Sequence, residues 1–229
     1  MGDVVAVYLE IGTTRTFAGA IDWPGWSRSG RSEAGALEAL VAYGPRYRAV
    51  AGRSTPPFHA PPDVSRLNVV ERLEGGGGTD FGVPGEAPRA DGRPLDEPEL
   101  AGFRRLLTRC WSVFDEAAAA AIGVELRKGP RGGGRDLDKI VAHVREADEA
   151  YLSQLGSRVP KPKGQDAAGD AEGLHSAILD ALTARAHGRS PAQPNNVRKQ
   201  WSPRYHIRRA TWHILDHAWE IEDRATIYS

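Results

Sequence analysis

The sequence predicts an α+β protein: a small N-terminal α/β unit, a glycine- and proline-rich break, and an up-down four-helix bundle. Three observations carry this. Two β-prone runs, residues 4–9 and 14–20, flank Gly12, and a helix-compatible stretch follows them. Residues 75–95 hold four consecutive glycines and three prolines, a composition that does not pack as a regular element. Beyond Asp96, four segments repeat apolar residues at helical spacing. The predicted boundaries are therefore 1–74, 75–95 and 96–229.

Taken in order, the two runs around Gly12 form a hairpin, and Asp22-Trp23-Pro24-Gly25-Trp26 turns the chain. Ser32 caps a helix over 33–43 whose apolar stripe is Leu37, Leu40 and Val41, and Gly44-Pro45 breaks it. A proline-rich loop leads to a last strand over 67–73. Asp80-Phe81-Gly82 imitates a kinase motif, but no glycine-rich loop, lysine strand or catalytic loop accompanies it. Asp96, with Pro98 and Glu99 behind it, opens the first long helix. Asp136 opens the second, 137–155, with the arc Leu137, Ile140, Val141, Val144, Ala147, Tyr151 and Leu155. The third spans about 171–187, with Leu174, Ile178, Ala181 and Leu182 inward. Ser202-Pro203 starts the fourth, 202–228, where the hydroxyl caps free donors and proline suits the first turn.

Composition bounds the partners. Lys+Arg and Asp+Glu both number 30, so the net charge is zero, which argues against a general binder of nucleic acid or anionic membrane. The single cysteine, Cys110, rules out intramolecular disulfides and cysteine-rich zinc modules, and its apolar neighbours favour a packing role over a nucleophilic one. No leader-like or membrane-spanning pattern stands out, which predicts a cytoplasmic protein.

The chemistry concentrates in histidines. His213 and His217 are four residues apart, so both leave one helix face a turn apart, as a metal taking two imidazoles from one rigid element requires. On the second helix, His143 stands at the edge of the apolar arc. Projected at about 100° per residue, the last helix has the apolar arc Ala210, Ile214, Ala218, Ile221 and Ala225. The two histidines border that arc, with Arg209, Glu220 and Arg224 on the same flank. His59, His175, His187 and His206 are weaker candidates. Trp212 and Trp219 lie opposite the arc, suited to packing on the N-terminal unit or a partner.

Two resemblances sharpen these readings. Residues 4–43, with DWPGWSRSGRSEAGALEAL after two strands, resemble the N-terminal unit of HicB-like antitoxins. In that family the unit meets a protein partner; here it would serve as a structural or dimerising module, with Trp23 and Trp26 available to cover the second domain. Residues 98–228, through KIVAHVREADEAYLSQLG and RRATWHILDHAWEIEDR, resemble the DinB superfamily of four-helix metalloproteins. That family includes S-transferases dependent on mycothiol or bacillithiol and a mycothiol-dependent isomerase. The resemblance implies a divalent metal on His143, His213 and His217, with Zn²⁺ first and Ni²⁺ or Fe²⁺ as alternatives. It also implies a low-molecular-weight thiol cosubstrate, a small-molecule electrophile and a bacterial type of chemistry. Arg209 or Arg224 would pair with a carboxylate on the thiol, and Glu220 would orient a histidine or take a proton. Three readings follow: a thiol transferase or isomerase, a metal-binding or regulatory protein without catalysis, and a hydrolase that uses water at the same ligands.

Overall fold

The computed structural model describes residues 4–52, 54, 56–128, 134–158, 167–189 and 200–225. It is an α+β structure with one four-stranded mixed sheet and seven helices among these residues. Residues 129–133, 159–166 and 190–199, which take in most of the connections expected between the long helices, and residues 226–228 of the last expected helix lie outside the described residues. The chain divides into two compact units, Met1–Arg93 with Ile207–Trp212, and Pro94–His206 with His213–Ser229.

In the first unit the sheet order is β3-β2-β1-β4, with β1 Val5–Ile11, β2 Thr16–Ala20, β3 Ser27–Gly30 and β4 Leu67–Glu74. β1 and β2 form the expected hairpin, Tyr8 opposite Gly19, and β4 runs parallel to β1 with a register shift between Val7 and Tyr8. β3 escapes a pattern search because its sequence, SRSG, is short and polar; it exists through main-chain pairing to β2. Gly30 then matters, since a Cβ there would stand 2.4 Å from the Ala36 nitrogen on helix α1, Glu33–Ala42. Ser32 caps α1 as its sequence implies, accepting from the Gly35 amide at 3.1 Å. Gly44-Pro45 ends that helix but also opens another, α2, Gly44–Ala51, because proline is tolerated in a first turn.

Trp26 is spent in this unit's own core. Fully buried, it donates Nε1–H to the Leu40 carbonyl at 2.9 Å and stacks against Tyr47, with Phe58 edge-on at 4.9 Å. The glycine-rich stretch is also more ordered than its composition implies. It contains a short helix, α3, Gly77–Phe81, and carboxylates hold it. Asp80 accepts from the Thr13, Thr14 and Arg15 amides, while the fully buried Glu10 accepts from Thr79 Oγ1 and from the Gly85 and Glu86 amides. Long-range bonds of this kind leave no periodicity in a sequence. Arg208 completes the unit. Its guanidinium grips both oxygens of buried Asp91 at 2.7 and 2.8 Å and donates to the Ala20 and Ile21 carbonyls. Beside it, Trp212 meets Phe17 edge-on at 6.0 Å.

The second unit is built on α4 Glu97–Ala120, α5 Leu137–Gln154, α6 Ala167–Ala186 and most of α7 Pro203–Ala225. Asp96 and Glu99 form a reciprocal capping box at the start of α4. Asp136 precedes α5 but binds Lys139 rather than capping the helix. The buried face of α5 is Ile140, Val144, Asp148 and Leu152, so it is rotated from the expected arc: Val141 is 40 % exposed and a carboxyl takes a core position. Asp148 accepts from Trp111 Nε1 on α4 at 2.9 Å, and Trp111 stacks on His175 of α6 at 3.7 Å. Arg104 on α4 donates to the Leu179 carbonyl and to Thr183 Oγ1 on α6. The expected inward residues of α6, Leu174, Ile178, Ala181 and Leu182, are buried. No helix of the described residues is long and apolar enough to cross a membrane.

Candidate metal centre

Two helices present the three histidines. Ser202 accepts from the Tyr205 amide at 3.1 Å and starts α7, from which His213 and His217 project one turn apart. α5 supplies His143. The Nε2 atoms of His143 and His213 are 3.3 Å apart, and one ligand atom from each of the three residues lies within 4.8 Å of the others. The rings cluster with centroids 4.7 to 5.1 Å apart, each pair steeply inclined. Among the described residues this is the one group of three or more metal-binding side chains so placed.

The spacing is informative. Two nitrogens at 2.0–2.1 Å from a tetrahedral ion stand about 3.3 Å apart. The His143–His213 separation is therefore that of a tetrahedral edge as well as that of a hydrogen bond between imidazoles. The donor set is nitrogen only, suited to Zn²⁺, Ni²⁺ or Fe²⁺ rather than to hard oxygen-seeking cations. Burial, the Arg135 charge and His217 all push the His143 pKa down, a shift towards the neutral imidazole that a metal needs.

A second layer surrounds the histidines. His217 Nδ1 lies 2.8 Å from Glu220 Oε2, and the other carboxylate oxygen accepts from Arg224 Nη1 at 2.7 Å. Burial alone would raise the Glu220 pKa; the bonds to His217 and Arg224 outweigh it and hold the carboxyl below its usual range. Arg224 Nε in turn donates to the Arg127 carbonyl at 2.7 Å. Tyr151, assigned by periodicity to the apolar arc of α5, sets its ring 5.7 Å from His213 and packs on Trp201.

The other sequence candidates have contacts of their own. The Arg209 guanidinium sits over the Trp212 indole, 4.7 Å from its centre. His175 stacks on Trp111, His187 meets Glu97 at 2.6 Å, His206 is fully buried beside Trp201, and His59 is exposed. Burial pushes the Cys110 thiol well above its ordinary pKa, the opposite of an activated nucleophile. The involvement of Tyr151 and Arg127 was not legible in the sequence, because their contacts join segments distant along the chain. Protein-family models, curated proteins and solved structures were compared with this chain, and none matches.

Proposed function

We propose that the chain is a metal-dependent protein of the DinB type, its four long helices arranged as an up-down bundle, that activates a low-molecular-weight thiol for transfer to a small electrophile or for isomerisation. The observation that carries this is the convergence of His143, His213 and His217, one ligand atom of each within 4.8 Å of the others and the His143–His213 pair at the spacing of a tetrahedral edge. Three protein ligands leave coordination positions open, the pattern of catalytic rather than structural zinc sites. Such a metal, when bound, supplies Lewis acidity that brings the pKa of a thiol or water ligand to about neutrality.

The chain's own residues do the rest. His143 and His213 present Nε2 atoms to one point, and Glu220 balances charge beside His217. Tyr151 and Trp201 give the His213 side an aromatic wall suited to excluding water. Arg224 is engaged with Glu220, so a carboxylate on the thiol would compete for a guanidinium already in use. The N-terminal unit, with its hairpin, Pro-Gly turn and following helix, supports a HicB-like module used for structure or dimerisation.

Metal analysis of purified protein beside the His213→Ala, His217→Ala double variant tests the site. Near-stoichiometric metal lost in the variant is expected, and equal content in both would sink it. Thiol consumption with a generic electrophile, run with and without chelator, tests the reaction. Chelator-sensitive turnover is expected. A metal-loaded protein with no thiol turnover would leave the binding protein in its place.

A further inference from the structure

The charged residues beside the histidines form a chain of contacts with direction. A carboxylate oxygen only accepts hydrogen bonds, so the 2.8 Å contact from Glu220 Oε2 requires the proton on His217 Nδ1. That leaves the Nε2 lone pair for a metal. The second carboxylate oxygen is held by Arg224. Arg224 is held from the far side by the connection between α4 and α5: its Nε donates to the Arg127 carbonyl, and the Arg127 amide donates back to the Arg224 carbonyl at 3.1 Å. At Gly134 a Cβ would lie 2.6 Å from Arg224 Nη2, and φ there is +146°. A solvated ion-pair set at these helical spacings would be open to water; here the His217, Glu220 and Arg224 side chains are only 12 %, 32 % and 10 % exposed.

We propose that Glu220 and Arg224 are positioning residues that fix the tautomer and orientation of His217, with Gly134, which its positive φ already reserves for glycine, leaving room beside the Arg224 guanidinium. This rests on the metal reading above and adds to it a support running from the α4–α5 connection to a single ligand. Orienting partners of this kind act through the ligand, so their effect should vanish when the ligand is gone.

The test uses the full chain, with Zn²⁺ affinity measured by competition against a chromophoric chelator and Co²⁺ absorption as a report of ligand geometry. Glu220→Ala should weaken Zn²⁺ binding about 10–100-fold and alter the Co²⁺ bands. Glu220→Gln, whose carbonyl can still accept from Nδ1, should recover part of the loss. Arg224→Ala and Gly134→Ala should shift both readouts in the same direction by less, with Arg224→Lys read in place of an Arg224→Ala protein that does not fold. Added to His217→Ala, Glu220→Ala should cost nothing further. Equal losses in both backgrounds, or a Glu220→Ala protein with unchanged affinity and spectrum, would overturn the positioning role while leaving the metal site standing. A parent protein that binds neither Zn²⁺ nor Co²⁺ would overturn both.

Discussion

Two arginines on α7 each hold a carboxylate, and they do so under different conditions. Arg208 and Asp91 are 117 residues apart and almost wholly buried, with side chains 7 % and 3 % exposed. The pair is bidentate, and two main-chain carbonyls take the remaining donors named above. Arg224 and Glu220 are one helical turn apart, the carboxylate is 32 % exposed, and its other oxygen faces a histidine. Every group in the first arrangement is consumed by the fold. The second leaves an imidazole nitrogen whose direction the carboxylate controls. The same chemical pair is a tertiary tie in one place and the support of a candidate ligand in the other. Burial and the identity of the third partner decide which.

The comparison can be broken by experiment. Arg208→Ala should take the bidentate guanidinium from the buried Asp91 carboxylate and cost about 3–5 kcal/mol of stability, read by denaturant unfolding. A cost below 1 kcal/mol would place that pair with ordinary surface bridges. Trp111→Phe comes next. It removes the indole donor from Asp148, a third buried carboxyl that no cation neutralises in the contacts described, and should cost about 1–3 kcal/mol.

Asp148 also carries a pH signature. Burial pushes its pKa up to about 7, against a lowering by the Trp111 bond. The unfolded chain ionises this carboxyl at ordinary carboxylate pH while the folded chain keeps it protonated. Its contribution to stability is therefore fully present in acid and is lost as pH rises towards about 7. Asp148→Asn should abolish that loss, so the variant gains on the parent protein between pH 4 and 7. A parallel pair of stability–pH curves would refute it. His175 and His206 act in the opposite sense, since burial lowers both to about 4 and their contribution disappears as pH falls below the ordinary histidine range. The smallest stability effect belongs to Glu220→Ala, under about 1 kcal/mol, although its metal affinity should fall most among the positioning variants. A large loss of stability there would make Glu220 a tie like Asp91.

Much of the local order was readable from residues alone. Ser32, Asp96 with Glu99, and Ser202 mark helix starts because a side-chain oxygen beside free amides is a local event. The apolar residues of α6 and the paired histidines of α7 were legible for the same reason, since helical periodicity places them on one face whatever surrounds the helix. Composition misled where distant partners intervene. The glycine-rich stretch contains α3 because Glu10 accepts from Thr79 within it and Asp80 accepts from the amides of residues 13–15. The buried face of α5 turned to include Asp148 because Trp111, on another helix, offers it a donor.

The sequence by itself determined the α+β class, most helix starts, and the presence of two histidines on one face with a third on another helix. These follow from main-chain capping and from the pitch of the helix, which operate within a few residues. Only the tertiary structure decided that the histidine nitrogens of two helices converge and that Asp91 and Asp148 are buried. Those facts depend on groups separated by tens of residues, whose meeting has no periodic trace in the chain.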